Sequence, residues 1–186
     1  MAQPIPGVRE VNLVHHTDVR GSLTKLLNPN CAEEFCTYSQ AQVFRGFHCA
    51  VPPGEMYKMV TCIYGFVWDV LIDLRAGSPT FREYRSWQLS AKSPTMLIMP
   101  PGIAHGFFSL YDAVMIYKVG RVHDERYDKG IRWDSMRIVL DPFPDPHMGI
   151  YRGLLPTVSA RDAALPTMEE FLKTNPFVYK EEEQRV

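Results

Sequence analysis

The sequence predicts an all-β domain, built either as a sandwich of two sheets or as a closed barrel. From about residue 43 to residue 119, short apolar segments alternate with turn residues. Aromatic residues make up 12% of the 186 residues, and the chain contains 15 Pro and 12 Gly, which suits short strands joined by turns. Amphipathic helices between the strands, which a doubly wound fold needs, are not recognisable. A sandwich or a barrel is therefore favoured.

Short strands are predicted where β-branched and aromatic residues cluster between turns. They cover residues 43–49, 57–64, 66–74, 84–89, 95–99 and 114–119. Gly65, between the second and third of these strands, predicts a tight hairpin or a bulge. Residues 76–80 form a cluster of turn residues. Residues 99–106 contain two consecutive prolines, and because Pro cannot donate a hydrogen bond within a central strand, we expect a turn there.

Two short helices are predicted near the end of the chain. Ser159 is followed three residues later by Asp162, and Thr167 by Glu170, which is the pattern of a helix capping box. Residues 180–186 are mostly charged, and we expect them to form a solvated tail. The length of 186 residues corresponds to one domain that spans the whole chain.

Charge and cysteine usage exclude several classes of protein. Lys and Arg number 20 against 21 Asp and Glu, so the net charge of −1 provides no overall footprint for nucleic acid. No run of 18 apolar residues predicts a membrane span, and the first seven residues lack a secretory signal pattern. The cysteines, which contain no C-x-x-C pair, are Cys31, Cys36, Cys49 and Cys62. We therefore expect a cytoplasmic protein with reduced thiols.

The strongest local signal for chemistry is the segment from Arg45 to His48, which places an Arg, a Gly and a His at the end of an apolar strand. Lys58 enters the next strand, His105 follows the Pro-Pro-Gly turn, and Tyr117 lies on a later strand. On the inner wall of a barrel, His would act as a base near neutral pH and Lys would stabilise an oxyanion. Tyr would donate a proton from the opposite wall.

Each of these residues, taken alone, also fits a purely structural role. A single His on an apolar strand is more often a hydrogen-bonded core residue, and Tyr117 fits the core with its hydroxyl at the rim. Lys58 fits a strand end with its ammonium in water, and Asp162 fits a helix cap. Composition and spacing therefore indicate a β-barrel with a candidate His/Lys/Tyr pocket, and they leave its use open.

A catalytic metal is not predicted. The adjacent pair His15 and His16 would point to opposite faces of a strand, so the two side chains cannot chelate one ion together. His48 is followed by Cys49 and Ala50 and has no second ligand two residues on. We expect no metal and no other cofactor.

Several motifs, in order along the chain, resemble those of the dTDP-4-dehydrorhamnose 3,5-epimerases in the cupin superfamily. The resemblance runs from about Asp18 to Leu172, and each motif alone is weak. The motifs are DVRG at 18–21, RGFH at 45–48, KMV at 58–60, DVLIDLR at 69–75, SPTF at 78–81, PPGIAHGF at 100–107, YK at 117–118, GIRWD at 130–134 and SARD at 159–162. Their order and spacing together identify the superfamily.

The resemblance implies a cupin jelly-roll barrel that forms a homodimer and uses no metal. It implies a nucleoside-diphosphate 4-keto-6-deoxyhexose as substrate and a place in deoxysugar biosynthesis. The 4-ketone acidifies the hydrogens at C3 and C5, because removal of either one leaves an enolate. A base removes the proton from one face and an acid returns one to the other face, which inverts the carbon.

The resemblance also assigns roles to individual residues. His48 would be the base, and Asp162 would hydrogen-bond its far nitrogen and stabilise the imidazolium. Tyr117 would be the acid on the opposite face, and Lys58 would stabilise the enolate oxygen. The residues expected to bind substrate are Arg20, Lys25, Arg45, His105, His123, Asp128 and Arg161. The two arginines at 20 and 45 would meet the diphosphate, since a guanidinium binds two oxygens at once.

The chain departs from the family mainly where the nucleotide would bind. Residues 31–42 lack the Gln/Asn-containing stretch expected before Arg45. Other family positions carry a different side chain here, at Lys25, Cys49, Ala50, Val122, His123 and Asp128. The set expected for proton transfer is intact. We therefore expect the proton chemistry to persist while the nucleotide, the sugar or the choice between C3 and C5 has diverged.

One geometric problem concerns Arg45 and His48, which are three positions apart. Strict alternation would place them on opposite faces of a strand. Both can line one pocket only if Gly46 allows a bulge or if the strand ends there.

Other functions remain open at the level of sequence. A ketoisomerase would form the same enolate and protonate it elsewhere, so that the carbonyl moves. A non-catalytic barrel that binds sugar nucleotides would not require an acid–base pair. A metal-dependent cupin oxygenase would need bound iron.

Overall fold

The computed structural model describes residues 3–27, 30–135 and 155–181 of the chain. Antiparallel strands dominate these residues, and two short helices follow near the end. The strands are β1 (Arg9–Asn12), β2 (Val14–Asp18), β3 (Gly21–Lys25), β4 (Glu33–Ser39), β5 (Val43–Ala50), β6 (Lys58–Tyr64), β7 (Phe66–Asp73), β8 (Tyr84–Ser90), β9 (Thr95–Met99), β10 (Ile103–Ser109), β11 (Ala113–Val119) and β12 (Asp128–Gly130). The helices are α1 (Ala160–Ala163) and α2 (Met168–Leu172).

The strands form two five-stranded sheets and one hairpin. The first sheet has the order β1-β9-β6-β11-β4, and the second has the order β12-β5-β10-β7-β8. Strands β2 and β3 form the hairpin. All of these pairings are antiparallel. Because consecutive strands often belong to different sheets, the chain crosses repeatedly between two layers that share a core.

Strand β7 shows that both faces of the second sheet are buried. Val67 and Leu71 point between the sheets, where they belong to one apolar cluster with Val60 of the first sheet. Val70 and Ile72 point to the other face and belong to a cluster that includes residues of α2. A strand covered on both faces is nearly continuously apolar, which makes it easy to recognise in the sequence. Each such side chain, when fully buried, contributes about 1.5–3 kcal/mol.

The predicted all-β class is confirmed, and so are the individual strands predicted between residues 43 and 119. They correspond to β5, β6, β7, β8, β9 and β11, and no boundary differs by more than one residue. These strands lie inside the sheets or pack against the core. Their burial explains why their composition is diagnostic.

The turn predicted over residues 99–106 is wrong for its second half. The turn is confined to residues 100–102, and Ile103 begins β10, a central strand between β5 and β7. The two prolines restrict only their own positions, and after Gly102, which has a φ of 83°, the chain again has N–H groups for the ladder. His105 therefore lies within a sheet.

Of the two alternatives predicted at Gly65, the hairpin is wrong, while the pairing of β6 with β11 shows a bulge just before it, between Cys62 and Tyr64. Strands β6 and β7 belong to different sheets, so Gly65 lies where the chain crosses from one layer to the other. Its φ is 75°, and a Cβ atom there would lie 2.1 Å from the carbonyl oxygen of Asp112. A glycine is needed at this position because of this close approach of two backbones.

Strands β1 to β4 are not predicted by the sequence patterns. The hairpin strands β2 and β3 are polar and largely exposed. Strand β4 is an edge strand of the first sheet, and most of its residues are exposed or half-buried. Edge strands and hairpins bury little surface, so their sequences lack a clear apolar pattern.

Both predicted helix starts are confirmed. The Ser159 hydroxyl accepts a hydrogen bond from the Asp162 N–H at 3.0 Å at the start of α1. Thr167 and Glu170 form a complete capping box at the start of α2. A cap of this kind stabilises a short helix by about 1 kcal/mol.

Two further expectations concern membranes and the end of the chain. Among the described residues, no helix has the length and apolar character needed to cross a bilayer. The predicted charged tail covers residues 180–186, of which 182–186 lie outside the described residues. The single-domain organisation stays a prediction.

Candidate active site

A cleft of about 480 Å³ opens between the two sheets. Strands β4, β6 and β11 line it from the first sheet, while β5, β10 and β12 line it from the second. Helix α1 contributes from the side of the second sheet. The cleft collects most of the predicted site residues, namely Arg45, His48, Lys58, His105, Tyr117, His123, Asp128, Arg161 and Asp162.

The central pair of the cleft is His48 on β5 and Asp162 on α1. His48 Nε2 lies 2.7 Å from Asp162 Oδ1, and the other carboxylate oxygen accepts the Gly46 N–H at 3.2 Å. Burial by itself raises the pKa of Asp162, but the hydrogen bonds from His48 and Gly46 outweigh it, so the pKa is lowered. A carboxylate only accepts hydrogen bonds, so His48 carries its proton on Nε2 when the ring is neutral. Nδ1 is then the basic atom.

A bulge in β5 solves the geometric problem of Arg45 and His48. His48 pairs with His105 and Arg45 pairs with Phe107, so three steps along β5 correspond to two steps along β10. Gly46 in this bulge has a φ of 124°. A Cβ atom at Gly46 would lie 2.6 Å from a backbone atom of β10. Of the two possibilities at this point, a bulge or a strand end, the structure has the bulge, and both side chains line the cleft.

Tyr117 faces the cleft from β11 in the opposite sheet and is only 6% exposed. Burial raises the pKa of Tyr117 well above its ordinary value, and the nearby negative charge of Asp69 raises it further. The phenol therefore stays protonated over the whole physiological pH range. A protonated phenol on the wall opposite a histidine is suited to donating a proton.

Lys58 begins β6 and is half-buried, facing the same cleft. Burial lowers its pKa, and the opposing effect of Asp128 and of Cys49 and Asp69 is smaller. Lys58 forms no hydrogen bond or ion pair with the described residues, so its charge is directed into the cleft and is not neutralised locally. The structure therefore does not support the alternative in which the Lys58 ammonium group lies in bulk water at a strand end.

His105 on β10 is held by a carboxylate behind it. Its Nε2 lies 2.7 Å from Oδ2 of Asp69 on β7, and both side chains are almost completely buried. Oδ1 of Asp69 is also buried and has no hydrogen-bond partner among the described residues. The cleft thus contains a second histidine–carboxylate pair, deeper than the first.

A cluster of charged side chains lies beside His48. The Asp128 carboxylate contacts Nε2 of His123 at 3.0 Å and accepts a hydrogen bond from Arg161 at 2.6 Å. Burial alone raises the pKa of Asp128, but the contacts with His123 and Arg161 and the charge of His48 outweigh it, and the pKa is lowered. The predicted binding residues at 123, 128 and 161 therefore form one hydrogen-bonded group.

Arg20 and Lys25 are the predicted site residues that do not line this cleft. Both belong to the β2–β3 hairpin region, where the Arg20 side chain is 85% exposed and pairs with Asp18 at 2.5 Å. Their assignment as substrate ligands stays a prediction.

Metal and thiol chemistry have little support in the described residues. No group of three or more His, Cys, Asp or Glu side chains lies together there in a way that could hold a metal ion. The cysteines are all free thiols. Burial raises the pKa of Cys49 to about 12, so this thiol beside the cleft remains protonated.

Comparison with known proteins identifies the family. Residues 2–170 match the family model described as dTDP-4-dehydrorhamnose 3,5-epimerase. The chain belongs to this family. A dTDP-4-dehydrorhamnose 3,5-epimerase of Mycobacterium tuberculosis is 31% identical over 179 residues, which covers 89% of this chain and 85% of the relative. The enzyme of the same name from Salmonella typhimurium is 34% identical over 138 residues, covering 73% and 70% of the two chains.

Solved structures of epimerases share the fold. The rmlC epimerase of Mycobacterium tuberculosis matches with a TM-score of 0.80 and 28% identity, covering 99% of this chain and 95% of that one. NovW, a 4-keto-6-deoxy sugar epimerase of Streptomyces spheroides, matches with a TM-score of 0.78 and 25% identity, covering 95% and 90%. The predicted family, its isomerase class and its jelly-roll fold are thereby confirmed.

Sequence patterns do not point to two side chains that support this epimerase cleft, Asp69 behind His105 and Phe35 in the cleft wall. Asp69 lies within a motif that carried the resemblance, and an acid between apolar neighbours on a strand is a signal that could have drawn attention to it. Phe35 lines the cleft from β4 and stacks on Tyr117. Nothing local marks Phe35, because its contact depends on how β4 pairs with β11.

Proposed function

We propose that this chain epimerises a nucleoside-diphosphate 4-keto-6-deoxyhexose at C3, C5 or both, through an enolate. The observation that carries the proposal is the placement of the His48–Asp162 pair and of Tyr117 on opposite walls of one cleft. Inversion of a carbon needs a base on one face and an acid on the other. A cleft between two sheets supplies both from rigid strands.

Proton removal is assigned to His48. Its Nδ1 accepts the proton from C3 or C5, and the C–H electron pair moves into the bond toward C4, so that the ketone becomes an enolate. The imidazolium that forms is stabilised by the Asp162 carboxylate at 2.7 Å. The lowered pKa of Asp162 keeps this carboxylate ionised while His48 changes its charge.

Stabilisation of the enolate is assigned to Lys58 and His105. The Lys58 ammonium is not neutralised by an ion pair among the described residues, so it is available to the oxyanion. His105 is held in place by Asp69 and lines the same cleft. Loss of one such stabilising group typically costs a factor of about 10² to 10³ in rate.

Proton return is assigned to Tyr117. Its phenol donates a proton to the other face of the same carbon, the enolate electrons return to that carbon, and the ketone re-forms. The product then has the inverted configuration, His48 is protonated and Tyr117 is a phenolate. Transfer of one proton through solvent restores both groups before the next turnover.

Recognition of the nucleotide is assigned to the charged groups around the cleft. Arg45 is assigned to the diphosphate, and the group formed by His123, Asp128 and Arg161, which lines the same cleft, is assigned to further contacts with the substrate. Because curated relatives are named for a dTDP-linked sugar, dTDP is the first nucleotide to test. Arg20 and Lys25 are proposed as further ligands. A homodimeric state is also proposed, and light scattering would test it. A cytoplasmic location is proposed as well.

Deuterium uptake tests the proposal. Purified protein in heavy water would be incubated with 4-keto-6-deoxyglucose linked to dTDP, CDP or GDP, and NMR would locate the label. We expect label at C3, C5 or both, together with inversion. His48→Ala should lower the rate of label incorporation by a factor on the order of 10³. Circular dichroism of the variant should show an intact fold.

Tyr117→Phe separates the two halves of the reaction. Because His48 remains, proton removal and exchange should persist, whereas inversion should fall strongly. Tyr111→Phe is the matched control, since Tyr111 is 56% exposed and does not line the cleft. Full activity of either active-site variant would contradict the role assigned to that residue.

The same experiment discriminates the other functions. A ketoisomerase would incorporate label and move the carbonyl, which the product NMR spectrum reveals. Binding without exchange would indicate a barrel that recognises sugar nucleotides and does not catalyse.

A further inference from the structure

An aromatic stack covers the ring of Tyr117. Phe35 on the edge strand β4 lies directly opposite Tyr117 on β11 in the antiparallel register. The two ring centroids are 4.8 Å apart and the ring planes differ by 8°, so the rings lie face to face. Phe35 is 36% exposed and lines the cleft, whereas Tyr117 is 6% exposed. The outer ring therefore shields the inner ring from solvent.

A second ring restrains Tyr117 from another direction. The His105 ring meets it edge-on, with centroids 6.0 Å apart and an interplanar angle of 71°. His105 is itself fixed by its hydrogen bond to Asp69. A phenol ring that contacts two neighbours, one of them anchored, has little freedom to rotate about its χ angles. Its hydroxyl group is correspondingly fixed in direction.

We propose that Phe35 is a positioning residue, which holds the Tyr117 phenol by face-to-face stacking so that the enolate is protonated on the face that inverts the carbon. The inference rests on the proposed function, in which Tyr117 is the acid. An enolate that is not protonated by Tyr117 takes its proton back from the His48 side, and the carbon keeps its configuration. The stack thus controls how often exchange leads to inversion.

The stacking role is separable from a role in stability. Phe35 sits on an edge strand, is 36% exposed and belongs to none of the buried apolar clusters, so its truncation leaves the described core clusters intact. Variants at this position are expected to fold. Differences in their chemistry then report on Tyr117 and not on the whole barrel.

Three substitutions test the proposal in the heavy-water assay. Phe35→Ala and Phe35→Leu remove the ring, and Phe35→Tyr keeps it. We expect the first two to lower kcat for the inverted product roughly fivefold, which is the usual worth of one aromatic pair. Exchange of the substrate proton through His48 and the KM should change little. Phe35→Tyr should restore inversion, and Tyr64→Ala, an exposed ring outside the cleft, should behave as wild type.

A spectroscopic measurement gives a readout that does not need turnover. Ionisation of Tyr117 can be followed by ultraviolet absorbance, as the difference from a Tyr117→Phe background. Burial raises the pKa of Tyr117, so uncovering the ring in Phe35→Ala should lower that pKa toward its ordinary value. An unchanged Tyr117 titration together with an unchanged ratio of inversion to exchange would overturn the proposal.

Two other outcomes have distinct meanings. A raised KM with an unchanged kcat in Phe35→Ala would assign Phe35 to substrate binding and would overturn the positioning role. If the wild type exchanged no proton with any of the three sugar nucleotides, the proposed function would fail. The titration of Tyr117 would still decide, in that case, whether Phe35 covers and holds its ring.

Discussion

Neighbouring groups set the protonation of each side chain in the cleft differently. Hydrogen bonds keep Asp162 ionised although burial opposes its charge, and burial keeps the Tyr117 phenol neutral. For Lys58, burial lowers the pKa of the ammonium group. The charges of the nearby carboxylates raise this pKa by a smaller amount, so the net shift is downward. The Tyr117 phenol and the Lys58 ammonium therefore lose their functional states at different pH values. This difference allows them to be told apart.

Lys58 should determine the loss of activity at alkaline pH. Because its pKa is lowered, the ammonium deprotonates below the ordinary lysine value of about 10.4, and stabilisation of the enolate is lost as pH rises through that point. Tyr117 cannot cause the same loss there, since its pKa is raised. A profile of kcat against pH for Lys58→Arg should lose this basic limb or shift it upward, because arginine stays charged. A basic limb that stays in place would exclude Lys58 as its origin.

Motifs indicated most of the site at the level of single residues, but not its supporting side chains. His48 and Tyr117 stood out as chemically capable residues on apolar strands. Phe35 and Asp69 act on Tyr117 and His105 across neighbouring strands. Such contacts depend on strand register, and one sequence without its pairing partners does not contain the register.

Among the secondary-structure elements, the bulge in β5 has the largest effect on the site. It lets Arg45 and His48 face the same cleft although they are three positions apart. The Gly46 N–H also donates to Asp162, so the bulge helps to hold the carboxylate that orients His48. The sequence left a bulge and a strand end open at this point, and the pairing with β10 shows that the chain forms a bulge.

Gly46→Ala should therefore lower kcat by more than its loss of folding stability would explain. The substitution forces a side chain onto a backbone with a φ of 124° and places its Cβ 2.6 Å from the backbone of β10. Strain at such a position costs about 1–3 kcal/mol, and relief of the overlap must displace β5. We expect turnover to fall by roughly tenfold or more, since small displacements of catalytic groups are costly.

Gly77→Ala is the matched control for this prediction. Gly77 has a φ of 86°, but nothing lies within 4 Å of the position its Cβ would occupy. It also lies away from the cleft. Gly77→Ala also places an alanine at a positive φ, but it does not displace β5. Equal losses of kcat in the two variants would therefore contradict the role of the bulge.

At the scale of the whole molecule, a buried network joins the second sheet to the C-terminal segment. Asp73 at the end of β7 accepts hydrogen bonds from Arg75, Ser78 and Thr80. Beside it, the backbone of Ala76 bonds to that of Phe177 at 3.0 Å. The network therefore anchors the chain that covers the outer face of the sheet carrying His48.

Asp73→Ala should destabilise the fold strongly. Its partner Arg75 is 3% exposed, and removal of one partner of a buried ion pair costs about 3–5 kcal/mol. Urea unfolding at neutral pH would measure the loss. Asp18→Ala provides the control, because the Asp18–Arg20 pair is exposed and should contribute little. Equal unfolding midpoints for the two variants would contradict a structural role for the network.

The same network predicts a dependence of stability on pH. Burial alone raises the pKa of Asp73, but its hydrogen bonds outweigh burial and lower the pKa in the folded state. The stabilisation is therefore fully present above the ordinary aspartate pKa of about 3.9 and is lost as pH falls through the lower folded value. The wild type should lose free energy of unfolding across this acidic range, and Asp73→Ala should lose less.

From the sequence alone follow the all-β class, most strands between residues 43 and 119, the helix caps and the candidates for the acid–base residues. These features depend on local composition, on spacing and on chemically distinctive side chains, which a single chain displays directly. The tertiary structure decided the exposed strands, the crossover at Gly65 and the placement of His105 within a sheet. It also decided that Phe35 covers Tyr117 and that Asp69 holds His105. The physical reason is that these features arise from pairing between distant segments, which is set by the packing of the whole barrel.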